Sequence, residues 1–253
     1  MFRDLIEDLD DLHNYTPEPH MILDVPYVPS DEDIVQAMLD LAKVGPQDVL
    51  YDLGSGDGRI LIAAAKKYNA RGVGVDIDPE RIADAMEYAG EAGAEYQVDF
   101  LEEDLFTVDI SEATVVTLYL LDSVNIQLRP RLLNELRPGT RIISQTFDMG
   151  DWQADEWRRL NGVRLYKWIV PAQIAGTWEW EGLDGTLYQV ELEQQYQEVT
   201  GKAWMAGQAA HLDKASLCGN CLELTIRAAD SDLRNYFTLD VENDALQSVQ
   251  EGE

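Results

Sequence analysis

The sequence predicts an α/β protein, with a doubly wound, mostly parallel sheet followed by a small antiparallel β unit. Three observations carry that reading. Short, continuous apolar runs alternate with helix-period segments over residues 49–144, as strand–helix–strand units do. A glycine-rich turn, Gly54-Ser55-Gly56-Asp57-Gly58, joins the first apolar run to the first of those helices. Beyond Pro171 the helical period fades, and apolar and polar residues alternate instead.

Taken in order, Phe2, Leu5, Ile6, Leu9 and Leu12 recur at helical spacing and predict an amphipathic helix over residues 1–12. The two-proline stretch His20-Met21-Ile22-Leu23-Asp24-Val25-Pro26-Tyr27-Val28-Pro29-Ser30 reads as extended. Ser30 with Asp33 predicts a capping-box-like start for a helix through Ile34, Met38 and Leu41, which Gly45-Pro46 ends. The first strand is Val49-Leu50-Tyr51-Asp52-Leu53, and its helix covers residues 59–68. Residues 72–77 form a second strand whose small apolar character suits burial on both faces. Pro79 opens the next helix. Strands follow at 96–101, 114–120 and 141–144. A helix over residues 125–136 is expected to break or kink at Pro130.

In the tail, Tyr188, Val190 and Leu192, then Leu222, Leu224 and Ile226, then Phe237, Leu239 and Val241 alternate with polar residues. These predict half-buried antiparallel strands. The expected division is a first domain at 1–172, with 1–30 as an N-terminal helix and lid segment, and a β-rich domain at 173–253. Cys218-Gly219-Asn220-Cys221 reads as a two-residue hairpin turn between facing cysteines. Two partly buried thiols are the simpler account of that pair, a redox couple the sharper one.

Composition excludes several classes. With 48 acidic against 19 basic residues the net charge is −29, and that field opposes a phosphate backbone. A nucleic acid partner is therefore not expected, and a cationic partner is. Adaptation to high salt would produce the same acidity. No apolar run has membrane-spanning length, and the acidic start does not read as a signal peptide, so a cytoplasmic location is expected. Two cysteines and His13, His20 and His211 show no ligand spacing, so no metal is expected.

In a doubly wound sheet, ligands bind beyond the carboxyl ends of the strands. Three successive strands deliver an acid there. Asp52 stands inside strand one, Asp76 ends strand two, and Asp104 follows strand three. The glycine spacing is G-x-G-x-G rather than that of dinucleotide folds, and a carboxylate at Asp52 would repel a pyrophosphate. It would attract a cation such as the amino and sulfonium end of S-adenosylmethionine. Asp76 suits a ribose diol, and Asp104 the adenine edge.

Asp52-Leu53-Gly54-Ser55-Gly56-Asp57-Gly58-Arg59 and Val75-Asp76-Ile77-Asp78 closely resemble the first and second motifs of the class I S-adenosylmethionine-dependent methyltransferases. Pro26-Tyr27-Val28-Pro29-Ser30 and Ser144-Gln145-Thr146-Phe147-Asp148-Met149-Gly150-Asp151-Trp152 narrow the resemblance. They are similar to the protein-lysine methyltransferases related to the ATP-synthase c-subunit enzymes. The likeness covers residues 20–172 and implies a seven-strand Rossmann-like sheet whose last strands include residues 164–170. The β-rich tail lies outside it.

By the resemblance, Asp52, Gly54, Ser55 and Gly56 line the methionine part of the cofactor, Asp76 and Ile77 hold the ribose, and Asp104 and Leu105 flank the adenine. Tyr27 and Ser30 close over the methionine end, and Tyr119 faces the transferred methyl. S-adenosyl-L-homocysteine is then the product. A lysine acceptor must be neutral to attack, and a desolvating aromatic channel favours that form. Tyr27, Tyr119, Phe147 and Trp152 are the candidates for such a channel. The expected acceptor is a protein amine. A small-molecule N- or O-methyltransferase and a non-catalytic cofactor-binding module with a β interaction domain are the alternatives.

Overall fold

The protein, seen in a computed structural model, is described over residues 27–242 and 245–252. The helix expected at 1–12 and residues 20–26 of the extended segment lie outside the described residues. The first sheet has seven strands. Strands β1 (Val49–Leu53), β2 (Arg71–Asp76), β3 (Val98–Glu102), β4 (Val115–Leu118) and β5 (Arg141–Gln145) run parallel. Strand β7 (Val163–Ile169) returns antiparallel to β5, and β6 (Glu156–Leu160) forms the edge, in the order β3-β2-β1-β4-β5-β7-β6.

Helices α1 (Glu32–Ala42), α2 (Arg59–Tyr68) and α3 (Pro79–Ala92) cover one face. Their apolar stripes, including Met38, Leu39, Leu61 and Ala85, meet Leu50, Phe100 and Ile143 of the sheet. The other face packs Leu53, Val116, Leu118 and Ile142 against Leu128 and Leu132 of α4 (Asp122–Glu135). Strand β4 is buried throughout, as a continuous apolar run requires when both faces are covered. The chain reverses its winding between β1 and β4, which opens a crevice at their carboxyl ends.

Two local expectations are corrected. The N-cap of α1 is Asp31, without a side-chain capping bond. Ser30 is buried, and its hydroxyl donates instead to Gln145 Oε1 at 2.6 Å. Helix α4 runs through Pro130 without a break. Pro130 is exposed, so water can satisfy the carbonyl that its missing N–H leaves free. Strand β6 has no counterpart in the sequence reading. Its residues are mostly exposed, and an edge strand need not show an apolar face.

The second sheet is a seven-stranded antiparallel meander, β8 (Gly176–Glu181), β9 (Leu187–Gln195), β10 (Glu198–Met205), β11 (Gln208–Cys218), β12 (Cys221–Ala228), β13 (Arg234–Glu242) and β14 (Ala245–Gly252). The alternating residues read from the sequence, Tyr188 to Val241, form its buried core with Trp180. Cys218 and Cys221 face each other across the β11–β12 turn as free thiols.

The meander docks on the first sheet through two turns. Gly219 accepts a bond from the Ala172 N–H at 2.8 Å and sits against Gly139. Tyr196, at φ 56°, stacks on Trp152, and its hydroxyl donates to Asp151 Oδ2 at 3.0 Å. A tyrosine in the left-handed region is costly, and these contacts are what hold it there. Among the described residues no helix is long and apolar enough to cross a membrane.

Candidate active site

A cleft opens at the carboxyl ends of β1, β2 and β4. Its floor is the turn after β1, where Gly54 and Gly56 take φ values of 81° and 52°. A Cβ on Gly56 would lie 2.6 Å from the Tyr27 ring, so only glycine lets that ring lie down on the turn. The N–H groups of Gly54 and Ser55 donate to Val75 O at 2.8 and 3.0 Å. Gly56 N donates to Asp76 Oδ2 at 2.8 Å, and Asp78 N to Asp76 Oδ1 at 3.0 Å. The acid that ends β2 thus shapes the turn that follows β1.

Asp52 is almost fully buried beside the turn. Thr117, its register partner on β4, donates to Asp52 Oδ1 at 2.7 Å. Burial pushes the Asp52 carboxyl up to about 7; the Thr117 bond opposes this, and the Asp76 and Asp57 carboxylates add to it. Ser55 Oγ is buried and has no hydrogen-bond partner among the described residues. A carboxyl raised by desolvation and a buried hydroxyl with no protein partner suit a cationic, hydrogen-bonding ligand.

The roof comes from the segment before α1. Arg59 pairs with Asp57 and donates through Nη1 to Ser30 O at 2.7 Å. Burial raises the Asp57 carboxyl, but the bonds from Arg59 and Tyr27 outweigh it and leave it below the usual range. Burial and the Asp57 carboxylate push the Tyr27 phenol up. The Arg81 guanidinium lies over the Tyr27 ring, 4.9 Å from its centroid. Ser30, through its bond to Gln145, ties this roof to the end of β5.

Tyr27, Ser30, Asp52, Gly54, Ser55, Gly56, Asp76, Ile77, Asp104, Leu105 and Tyr119 all line this one cleft. Asp104 Oδ1 accepts from Phe106 N at 2.8 Å, and among the described residues no hydrogen bond reaches its Oδ2. Two sequence candidates stand elsewhere. Trp152 is 1% exposed, packed between Trp168 and Tyr196, with its Nε1 donating to Gln197. It is a core residue and does not line the cleft. Phe147 is half-buried and also off the cleft wall, on the loop that Asn125 pins through Nδ2 bonds to Phe147 O and Asp148 O at 3.3 Å each.

Comparison with known proteins places this geometry. The profile of the ANTKMT methyltransferase domain matches residues 52–156. A protein-lysine N-methyltransferase of Saccharolobus islandicus is 48% identical over 133 residues, which cover 52% of this chain and 83% of that protein. The chain belongs to the S-adenosylmethionine-dependent methyltransferases. Within this group, the adenine nucleotide translocase lysine N-methyltransferase of mouse is 34% identical over 131 residues, 52% of this chain and 57% of that protein. The chain therefore spans little more than half the length of that relative. The crystal structure of an RNA methyltransferase from Salinibacter ruber in complex with S-adenosyl-L-homocysteine is 54% identical, with a TM-score of 0.57. The match covers 58% of this methyltransferase and 96% of that chain, so at least two fifths of the methyltransferase has no counterpart in it.

The cleft also holds residues the sequence reading passed over, among them Asp57, Arg59, Arg81, Phe106 and Leu120. Arg59 closes the glycine motif, but its bond to Ser30 joins positions 29 residues apart, which no local pattern displays. Arg81 lies in the first turn of α3, where a basic residue looks like ordinary helix surface.

Proposed function

We propose that this methyltransferase binds S-adenosylmethionine in the cleft and methylates a lysine of a polypeptide. The buried Asp52 beside the open glycine turn is the observation that carries the cofactor assignment. Asp52 and the Gly54–Gly56 backbone would hold the amino acid end, Asp76 the ribose hydroxyls, and Asp104 and Leu105 the adenine. The cofactor, when bound, supplies a methyl group already activated for transfer. The protein has to align the acceptor and exclude water. Of the four aromatic channel candidates, Tyr27 and Tyr119 line the cleft, and they would desolvate an incoming amine toward its neutral form. Among the described residues that line the cleft none is a histidine.

The archaeal relative, 48% identical and named for lysine, and the excess of 29 negative charges support a cationic protein acceptor. The Salinibacter structure, 54% identical and titled an RNA methyltransferase, favours RNA as the second reading. We also divide the chain at 172/173. Separate buried cores for the two sheets support that division, although Ala172 already packs with the second.

Transfer of labelled methyl into lysate of the source organism decides the acceptor. Label that is released by protease and recovered in methyl-lysine supports the reading. Label that survives protease but is released by nuclease replaces it with RNA, and label in small metabolites overturns both.

A further inference from the structure

The strands β6 and β7 form a hairpin whose tip lies at the same carboxyl edge of the sheet as the cleft. The register places Leu165 opposite Gln145, the last residue of β5, and Thr146 N donates to Arg164 O at 2.7 Å. Gln145 in turn bonds Ser30 of the cleft roof. One face of this hairpin carries Trp157 and Arg159 on β6 and Arg164 and Tyr166 on β7. Trp157 pairs with Tyr166 and Arg159 with Arg164.

Two arginines directly opposite on paired strands repel each other. A chain with 48 acidic residues has every opportunity to place an acid at one of these positions. Among the described residues neither Arg159 nor Arg164 closes an ion pair, whereas Arg158 on the other face is paired with Glu156. The Arg164 guanidinium is held between the Trp157 and Tyr166 rings, 5.3 and 5.7 Å from their centroids, and donates to Tyr166 Oη at 3.0 Å. It is thus fixed in place before any partner arrives. Arg159, Arg164, Tyr166 and Thr146 line one hollow. Trp157, Arg164 and Asp148 border a second beside it, and Asp148 makes no ion pair with Arg164.

Thr146 adds a second sign of function. Its φ is 72°, and the Phe147 N–H donates back to Gln145 O at 2.9 Å, closing a three-residue turn. This turn is rare and strained for a β-branched residue. It lines the hollow with the two arginines.

We propose that Arg159 and Arg164 form an anchor for a carboxylate of the acceptor polypeptide, at a fixed distance from the residue being methylated. This rests on the lysine reading above. Two guanidinium groups, one of them fixed by stacking, match an oxyanion with paired hydrogen bonds. A carboxylate fits this surface better than a polynucleotide, because two arginines set in a field of 29 excess negative charges can hold one anionic group but not a phosphate backbone. The acceptor is then cationic at the target and acidic at one neighbouring position, and it is selected by that pattern.

The test uses the full chain and a set of neutral peptides with one central lysine, each with a single glutamate at a different offset. Wild type is expected to favour one or two offsets roughly tenfold in kcat/KM, the value of one charged hydrogen-bonded contact. The double variant Arg159→Gln/Arg164→Gln should lose that preference while retaining its rate on the peptide without glutamate. Arg159→Lys/Arg164→Lys should keep part of it. No offset preference in wild type, or one that survives in the glutamine variant, overturns the anchor.

A second arm follows the arginine Nε–H resonances during titration with triglutamate and with a single-stranded oligouridylate. Saturable shifts of the Arg159 and Arg164 signals with triglutamate support the anchor. Shifts with the oligonucleotide alone assign the site to nucleic acid and overturn it. If triglutamate binds there but no peptide accepts a methyl, the carboxylate site stands and the lysine reading falls.

Discussion

Replacing Asp52 with asparagine separates what the cleft costs from what it does. Asparagine is nearly isosteric and keeps an Oδ1 acceptor for the Thr117 hydroxyl, which now donates at 2.7 Å. It removes only the charge. In the folded protein the Asp52 carboxyl is lifted from 3.8 to about 7 by burial, with Asp76 and Asp57 adding to the effect. The folded state therefore binds a proton more tightly than the unfolded chain does. The stability of the wild type falls as pH rises from about 4 to about 7 and is level beyond that. At about 1.4 kcal/mol for each pH unit, the cost above pH 7 reaches at most roughly 4 kcal/mol.

Asp52→Asn should consequently melt several degrees above wild type at pH 8, since roughly 2–4 °C accompany each kcal/mol at this chain length. At pH 4 the two should melt together. The same substitution should abolish the pH dependence of cofactor binding. If Asp52 holds the cofactor as proposed, S-adenosylmethionine binds the carboxylate form of wild type, so below about pH 7 a proton has to leave, and affinity should drop close to tenfold for each further unit. Calorimetry at pH 6 in two buffers of different ionisation heat should count about one proton released by wild type and none by Asp52→Asn. Thermal melts at pH 4 and 8 complete the test. A variant no more stable than wild type at pH 8, or a difference that does not change with pH, refutes the reasoning.

Asp76→Ala should weaken cofactor binding at least tenfold, because it removes both the ribose partner and the acceptor of the Gly56 N–H; unchanged affinity by calorimetry would reject the assignment. Gly56→Ala should impair binding further than its added methyl implies, as the Cβ would meet the Tyr27 ring at 2.6 Å on a backbone at φ 52°, and a binding isotherm equal to wild type would show that the ring does not rest there. Trp152→Ala should destabilise the fold by about 3–5 kcal/mol in denaturant titrations. Trp152→Phe, by contrast, should hold kcat near the wild-type value despite losing the Gln197 bond, and a large fall in kcat with an intact fold would return this residue to the catalytic channel.

Much of the cleft was legible because its parts are local in the chain. The glycine turn, the buried acid two residues before it, and the acids ending β2 and following β3 each sit at a fixed offset from a strand end, and period alone locates those ends. Phe147 and Trp152 show where this stops. Both follow β5 within a few residues, and both are aromatic, yet the loop turns at Thr146 and carries Trp152 into the core. Aromatic identity does not distinguish a channel wall from a packed interior. Ser30 is a similar case, since its hydroxyl serves Gln145, 115 residues away, rather than the helix it precedes.

The sequence by itself determined the alternation of strands and helices, the crevice they create, and the acids that face it. Those features follow from backbone geometry and from the periods of hydrophobic burial, which act over a few residues at a time. Tertiary structure alone decided that Arg59 reaches Ser30 to tie the roof down, that Trp152 belongs to the junction with the second sheet, and that Arg159 and Arg164 stand side by side on the β6–β7 hairpin. Each of these depends on strand register or on contacts between distant segments, and register is set by the packing of the whole sheet.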